Sequence, residues 1–276
     1  MRLEVTAERV NFLTDDGRLA GSYVHADPYK PHIHPLNSPQ GFTLSLCSPH
    51  DHKHHRGLMY ALQARDINFW EEKPLQQGVA VGRQVHLAYS ALWESGEEVG
   101  FLEELVWRSE DGSQHLQEIR SLDCRLSADG DRFMWRWRTE LRAARDLELV
   151  MSPWSKPDLK GRLVNYHGLG VRLRREFGCT GGNRLVVDGR EMRFEEALGV
   201  VPREVQFHGR IDGIWPVPRA YVGLRQGQGH ALFVMDVPFA FMSLGPTSLS
   251  PMQLARGEVL AEEYEILVGD ESPAEE

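Results

Sequence analysis

Apolar and polar residues alternate with a period of two along most of this chain, and that period predicts strands. The clearest case is Phe133, Trp135 and Trp137, which alternate with Met134, Arg136 and Arg138. A strand built this way buries one aromatic face and wets the other. The same reading predicts strands over 18–25, 42–47, 57–63, 84–93, 99–107, 114–126 and 147–151. Further strands are predicted over 168–175, 203–211, 220–224, 231–236 and 259–268. Turn pairs punctuate the runs at Asp16-Gly17, Asp111-Gly112, Asp129-Gly130 and Asp188-Gly189. Only 191–198 has a helical pattern.

Short, fairly regular spacing between strands favours an antiparallel sandwich over βαβ units. The expectation is all-β: one large antiparallel sandwich over 1–268 with few short helices. Two stacked β domains are the alternative. The acidic end, 269–276, is expected to be a disordered tail.

Charge narrows the partners. The chain has 276 residues and a net charge of -9, from 40 acidic and 31 basic side chains. That balance argues against nucleic acid, whose phosphates call for a basic surface. Cys47, Cys124 and Cys179 are odd in number and far apart, as expected of reduced thiols. The first residues lack a signal peptide's apolar core. No stretch approaches the roughly 20 apolar residues that span a bilayer. The expected location is the cytoplasm, with no membrane partner; a homo-oligomer remains open.

Histidine supplies the candidate chemistry. Seven of the 12 histidines fall between His25 and His55, where random placement would put about one. Four sit in the run His50-Asp51-His52-Lys53-His54-His55-Arg56-Gly57. Neutral imidazole ligates metals and transfers protons near pH 7. Asp51 can orient an imidazole, and Arg56 can clamp an anion.

An extended run would put His50, His52 and His54 on one side; a helical turn would pair His50 with His54, or Asp51 with His55. Upstream, His32 and His34 are two apart in a proline-flanked stretch, so they share a face if extended. His34, His52 and His54 could together hold a divalent Zn, Mn or Fe. There is no HExxH motif, and a metal-free acid/base site fits the residues equally well. A solvated polar loop is the plain alternative.

Three further groups are candidates. In Asn68-Phe69-Trp70-Glu71-Glu72, an aromatic face could stack on a sugar while carboxylates accept from hydroxyls; the alternative is a core plug. Glu118 and Arg120 share a strand face and could hold substrate, or pair with each other. Trp154, Lys156 and Asp158, in a proline-broken loop, could line a rim, with Tyr166-His167 nearby. No P-loop, GxGxxG or GxSxG context occurs, so neither a nucleotide cofactor nor a serine hydrolase is expected.

The residues His34-Pro35-Leu36, Gly41, Thr43 and Asp51 through Gly57 resemble the bacterial PmoA-like family of unknown function. Asn68-Phe69-Trp70 and Gly168 through Arg172 are similar to that family too. Its namesake methane mono-oxygenase subunit is an integral membrane protein, so methane oxidation is rejected on physical grounds. The resemblance implies a supersandwich like that of galactose mutarotases, and a setting in sugar metabolism. One departure is the segment Met235 through Ser243, which lacks the His and Trp of typical members.

The leading expectation is therefore a carbohydrate-active enzyme of epimerase, isomerase or lyase type. His52, His54, His55 and Asp51 would be catalytic, and His34, Arg56, Trp70, Glu118 and Arg120 would bind a small sugar ligand. A non-catalytic sugar-binding or sensing module is the first alternative. A metal-dependent hydrolase or oxygenase is the second.

Overall fold

Strand Arg132–Ala143 buries Phe133, Trp135, Trp137, Thr139, Leu141 and Ala143 and turns the intervening side chains outward. The alternation seen in the sequence is thus the pleat of a half-buried strand. It lies fourth from one edge of a nine-stranded sheet. In spatial order that sheet is Arg190–Met192, Arg184–Val187, Glu204–Arg210, Arg219–Gln226, Val259–Glu271, Arg132–Ala143, Gln114–Leu126, Glu98–Arg108 and Arg83–Ser95.

A second sheet has eight strands. Its order is Arg2–Val5, Arg9–Leu13, Leu19–Val24, His32–Leu36, Leu58–Ala61, Gly168–Arg172, Phe241–Leu244 and Phe233–Met235. Pairing within both sheets is antiparallel. The computed structural model describes every residue except 97, 179–181, 216 and 272–276. Cys179 therefore lies outside the described residues.

One continuous apolar core joins the two sheets. Trp107, Trp135 and Trp137 are buried within it. Each such ring removes roughly 150–250 Å² from water, an upper contribution of about 4–6 kcal/mol apiece.

The eight-stranded sheet is also covered on its other face. In Leu58–Ala61, Leu58 and Tyr60 point into the inter-sheet core, while Met59 and Ala61 join a second cluster. Phe233, Met235 and Phe241 join that cluster, whereas Val234, Met242 and Leu244 face the main core. Gly170 makes room: a Cβ there would lie 2.7 Å from the Phe241 ring. A continuous apolar run is what burial on both faces requires. The outer face of this sheet carries the site.

Several expected elements differ. The expected 42–47 strand is reduced to isolated bridges, Asn37 to Thr43, Ser45 to Leu173 and Cys47 to Arg56. The expected 191–198 helix shrinks to the single turn Phe194–Ala197. Asp188 and Gly189 both adopt positive φ, 49° and 78°, which makes a two-residue hairpin turn. That turn folds Arg190–Met192 back onto Arg184–Val187 before any helix can start. The expected tail begins inside a strand, since Gly269, Asp270 and Glu271 end Val259–Glu271 and pair with neighbours. Among the described residues, no helix is long and apolar enough to cross a membrane.

Candidate functional site

The histidine run is neither extended nor helical. His52 N donates to Pro49 O (3.1 Å) and His55 N to His52 O (3.0 Å), so two successive turns coil the loop. Ser48 N closes it on His55 O at 2.7 Å. Gly57 ends the motif at φ 70°, where a Cβ would lie 2.4 Å from Ile33 O. Only glycine suits that left-handed, crowded position.

The coiled loop forms one wall of a cavity of about 830 Å³. His50, Asp51, His52, Lys53, His54 and His55 line that wall. Tyr166, Phe233, Met235, Phe239 and Phe241 add a largely apolar, mostly aromatic surface to the lining. Glu71, Glu72, Trp154 and Lys156 complete the polar rim. A concave site with an apolar wall and a few convergent polar groups is the usual form of a small-molecule pocket.

The Asn68 side chain sets up the acidic edge. Its Oδ1 accepts from Trp70 N (2.8 Å) and Glu71 N (3.0 Å), a local turn that fixes both residues. Trp70 goes inward, fully buried against Tyr166, His167 and Phe241. Glu71 and Glu72 face the cavity.

Glu71 Oε2 lies 3.2 Å from His54 Nδ1, with side chains 6% and 18% exposed. Burial lifts the Glu71 carboxyl to about 7, against the pull of the Lys30 ammonium. Burial pushes His54 down to about 3, and the nearby Lys30 charge adds to this. Near neutral pH the pair is thus a neutral imidazole beside a carboxyl that readily gains or loses a proton.

Glu72 is held differently. Arg56 grips it bidentately (2.7 and 2.8 Å) and also approaches Asp27 at 3.3 Å. Lys30, wholly buried, donates to Trp70 O at 2.6 Å and lies 3.5 Å from Glu72. A closely paired cluster of this kind fixes the acidic edge rather than leaving charge free.

Asp51 is similarly engaged. Arg172, fully buried, donates to it at 3.0 Å and Arg175 at 3.2 Å. Burial works to raise the Asp51 carboxyl, but the Arg172 hydrogen bond and charge, a backbone hydrogen bond and His52 together outweigh it and hold the group well below the ordinary range. His52 Nδ1 lies 3.3 Å from the same carboxylate. The Arg172 guanidinium also sits 3.7 Å from the Phe239 ring centroid. His55 stacks on His52 (4.8 Å) and on Phe241 (5.4 Å), and burial drives its pKa well down.

The expected site residues therefore divide. His52, His54, His55 and Asp51 meet at the cavity. His34 does not line it: its Nδ1 lies 2.9 Å from Ser45 Oγ. The expected His34, His52 and His54 ligand set thus does not converge. Among the described residues, no three His, Cys, Asp or Glu side chains are grouped to hold a metal.

Arg56 is not a substrate clamp, because Glu72 and Asp27 occupy its fork. Trp70 is not a stacking platform, because it is fully buried. Trp154, 48% exposed on the rim, is the accessible ring instead. Glu118 and Arg120 lie between the sheets, paired at 2.8 Å and saturated by Trp107, Thr139 and Tyr23. Asp158 pairs with Arg162 at 2.7 Å and does not line the cavity.

Sequence reasoning missed Arg172 and the Phe239–Phe241 wall. The latter falls in the segment Met235 through Ser243, which holds no His or Trp.

Two long antiparallel sheets, with a histidine-walled cavity on the outer face of one, define an all-β sandwich protein. The profile of DUF6807, a family of unknown function, matches residues 10–276, and the chain belongs to that family. No curated protein matches it.

Among solved structures, galactose 1-epimerase from Lactobacillus acidophilus NCFM is similar at TM-score 0.44 and 9% identity, over 98% of this chain and 100% of that one. A galactose mutarotase-like protein from Clostridium acetobutylicum is similar at TM-score 0.41 and 9% identity, over 98% of each chain.

Proposed function

We propose that this protein is a carbohydrate-active enzyme that moves a proton on a sugar held in the histidine-walled cavity. The observation that carries the reading is the His54–Glu71 pair at 3.2 Å, with a carboxyl that titrates at about 7. A general acid or base works best when its pKa lies near the working pH. Perturbed groups concentrated in a cleft favour catalysis over packing.

Epimerisation, isomerisation and elimination each need one group to take a proton and another to return one. Glu71 would take or give the proton, and neutral His54 would pass it or hold the sugar hydroxyl. The Phe233–Phe241 wall and the exposed Trp154 ring would take the C–H faces of a pyranose, leaving its hydroxyls to Tyr29, His52 and Glu72.

The test separates binding from turnover. Saturation-transfer NMR of a monosaccharide panel should show binding to wild type and to Glu71→Gln, with binding lost in Trp154→Ala. Turnover should vanish in Glu71→Gln. Binding by wild type without any turnover would favour a non-catalytic sugar-binding module. No binding by wild type would sink the carbohydrate reading.

A further inference from the structure

The chain meets its need for positive charge almost entirely with arginine. Of its 31 Lys and Arg residues, only five are lysines: Lys30, Lys53, Lys73, Lys156 and Lys160. Yet Lys53, Lys73 and Lys156 all line the cavity, and among the described residues no arginine does. A random draw of the 19 lining residues would hold fewer than one lysine.

The three come from separate segments: the histidine loop, the residue after Glu72, and the strand Lys156–Pro157. Among the described residues none forms an ion pair, unlike Arg56, Arg172 and Arg175, whose charges are taken up by Glu72, Asp27 and Asp51. Asp51 and Glu72 are thereby neutralised, and the three lysines outweigh the single partial charge of Glu71, so they set the sign of the field in the cavity. That sign is opposite to the net charge of -9 on the whole chain. A cleft lined by one sign of charge concentrates ligands of the other.

We infer that the cavity takes an anionic carbohydrate, a sugar bearing a carboxylate or a phosphate, whose charged group is bound by Lys53, Lys73 and Lys156. The inference rests on the carbohydrate reading above and names its substrate class. Lysine suits this role, because a compact ammonium on a long stem follows an anion that the sugar places differently from one epimer to the next.

Two measurements test it. The first compares glucose, galactose and mannose with their uronic acids, aldonic acids and 6-phosphates, by competition NMR at low salt. The best acid or phosphate should bind at least about tenfold tighter than its neutral partner. The preference should fall in 0.5 M NaCl and vanish in the K53Q/K73Q/K156Q variant. The carboxylate and phosphate arms say which anion is meant. Equal affinity for neutral and anionic partners overturns the inference while leaving the carbohydrate reading intact.

The second titrates inorganic phosphate and citrate alone, following the melting temperature. Wild type should be stabilised and the triple variant should not. Stabilisation of both to the same degree, or of neither, overturns the inference. Lysine-dependent anion binding with no sugar bound by wild type upholds the anion site and sinks the carbohydrate reading instead.

Discussion

Replacing Glu71 by glutamine should make the protein more stable at alkaline pH and abolish its turnover. The Glu71 carboxyl titrates at about 7 in the folded chain, against an ordinary 4.5. Between those values the folded chain binds more protons than the unfolded one, so the carboxyl makes stability fall as pH rises. The penalty is absent below 4.5 and complete above 7. At about 1.36 kcal/mol per pH unit, it reaches on the order of 3 kcal/mol. With the side chain 6% exposed, solvent screening removes little of this. Glutamine keeps the shape and carries no charge to desolvate.

The variant should therefore melt roughly 6 °C above wild type at pH 8 and close to wild type at pH 4.5. Calorimetry of both proteins across pH 4.5–8 measures the difference directly. A difference that stays flat with pH, or a variant destabilised at pH 8, would refute the reasoning. Stability gained together with activity lost is the signature of a strained functional group.

Three other outcomes follow from the same geometry. Trp154→Ala should leave the melting temperature nearly unchanged, whereas Trp70→Ala, which empties a fully buried site, should cost about 3–5 kcal/mol; denaturant melts compare the two. Burial lowers His32 to about 4, and His54 and His167 to about 3, so these imidazoles stay neutral in the fold while the unfolded chain protonates below about 6.5. Stability should accordingly fall as pH drops from 6.5 towards 4, and a melting temperature flat over that range would contradict their burial. Gly57→Ala forces a Cβ to 2.4 Å from Ile33 O at positive φ, and should destabilise by several kcal/mol in urea melts while disordering the histidine loop.

The fold was legible where one face of a strand is wet. Phe133, Trp135 and Trp137 alternate cleanly with Met134, Arg136 and Arg138, and the strand lies where the pattern put it. Where both faces are covered the period of two is lost: Leu58–Ala61 and Gly168–Arg172 were still legible as short apolar runs, but Phe241–Leu244, also buried throughout, was not. Edge strands such as Arg2–Val5, largely exposed, escaped for the opposite reason. The Asp188-Gly189 turn, itself legible in the sequence, overrides the helical pattern that follows it.

At the site, the histidine run identified its own importance by composition alone. What it could not show is which charges are already spent. Arg56 and Asp51 look like free reagents in the sequence, yet each is fixed by partners 16 to 124 residues away. Trp70 and Trp154 look alike as sugar platforms, and only burial distinguishes them. In the sequence Glu71 could be a sugar-site carboxylate or a solvated glutamate, and only the fold sets it 3.2 Å from His54.

The most direct test of the central claim is proton exchange on sugars by wild type and Glu71→Gln. A panel of neutral and acidic monosaccharides is incubated in D2O with each protein. Proton NMR then follows deuterium entry at carbon and the rates of anomer and epimer exchange. The account predicts that at least one sugar exchanges faster with wild type than in buffer, and that Glu71→Gln abolishes the acceleration while still binding that sugar. Acceleration that survives in Glu71→Gln, or none for any sugar that wild type binds, would contradict it.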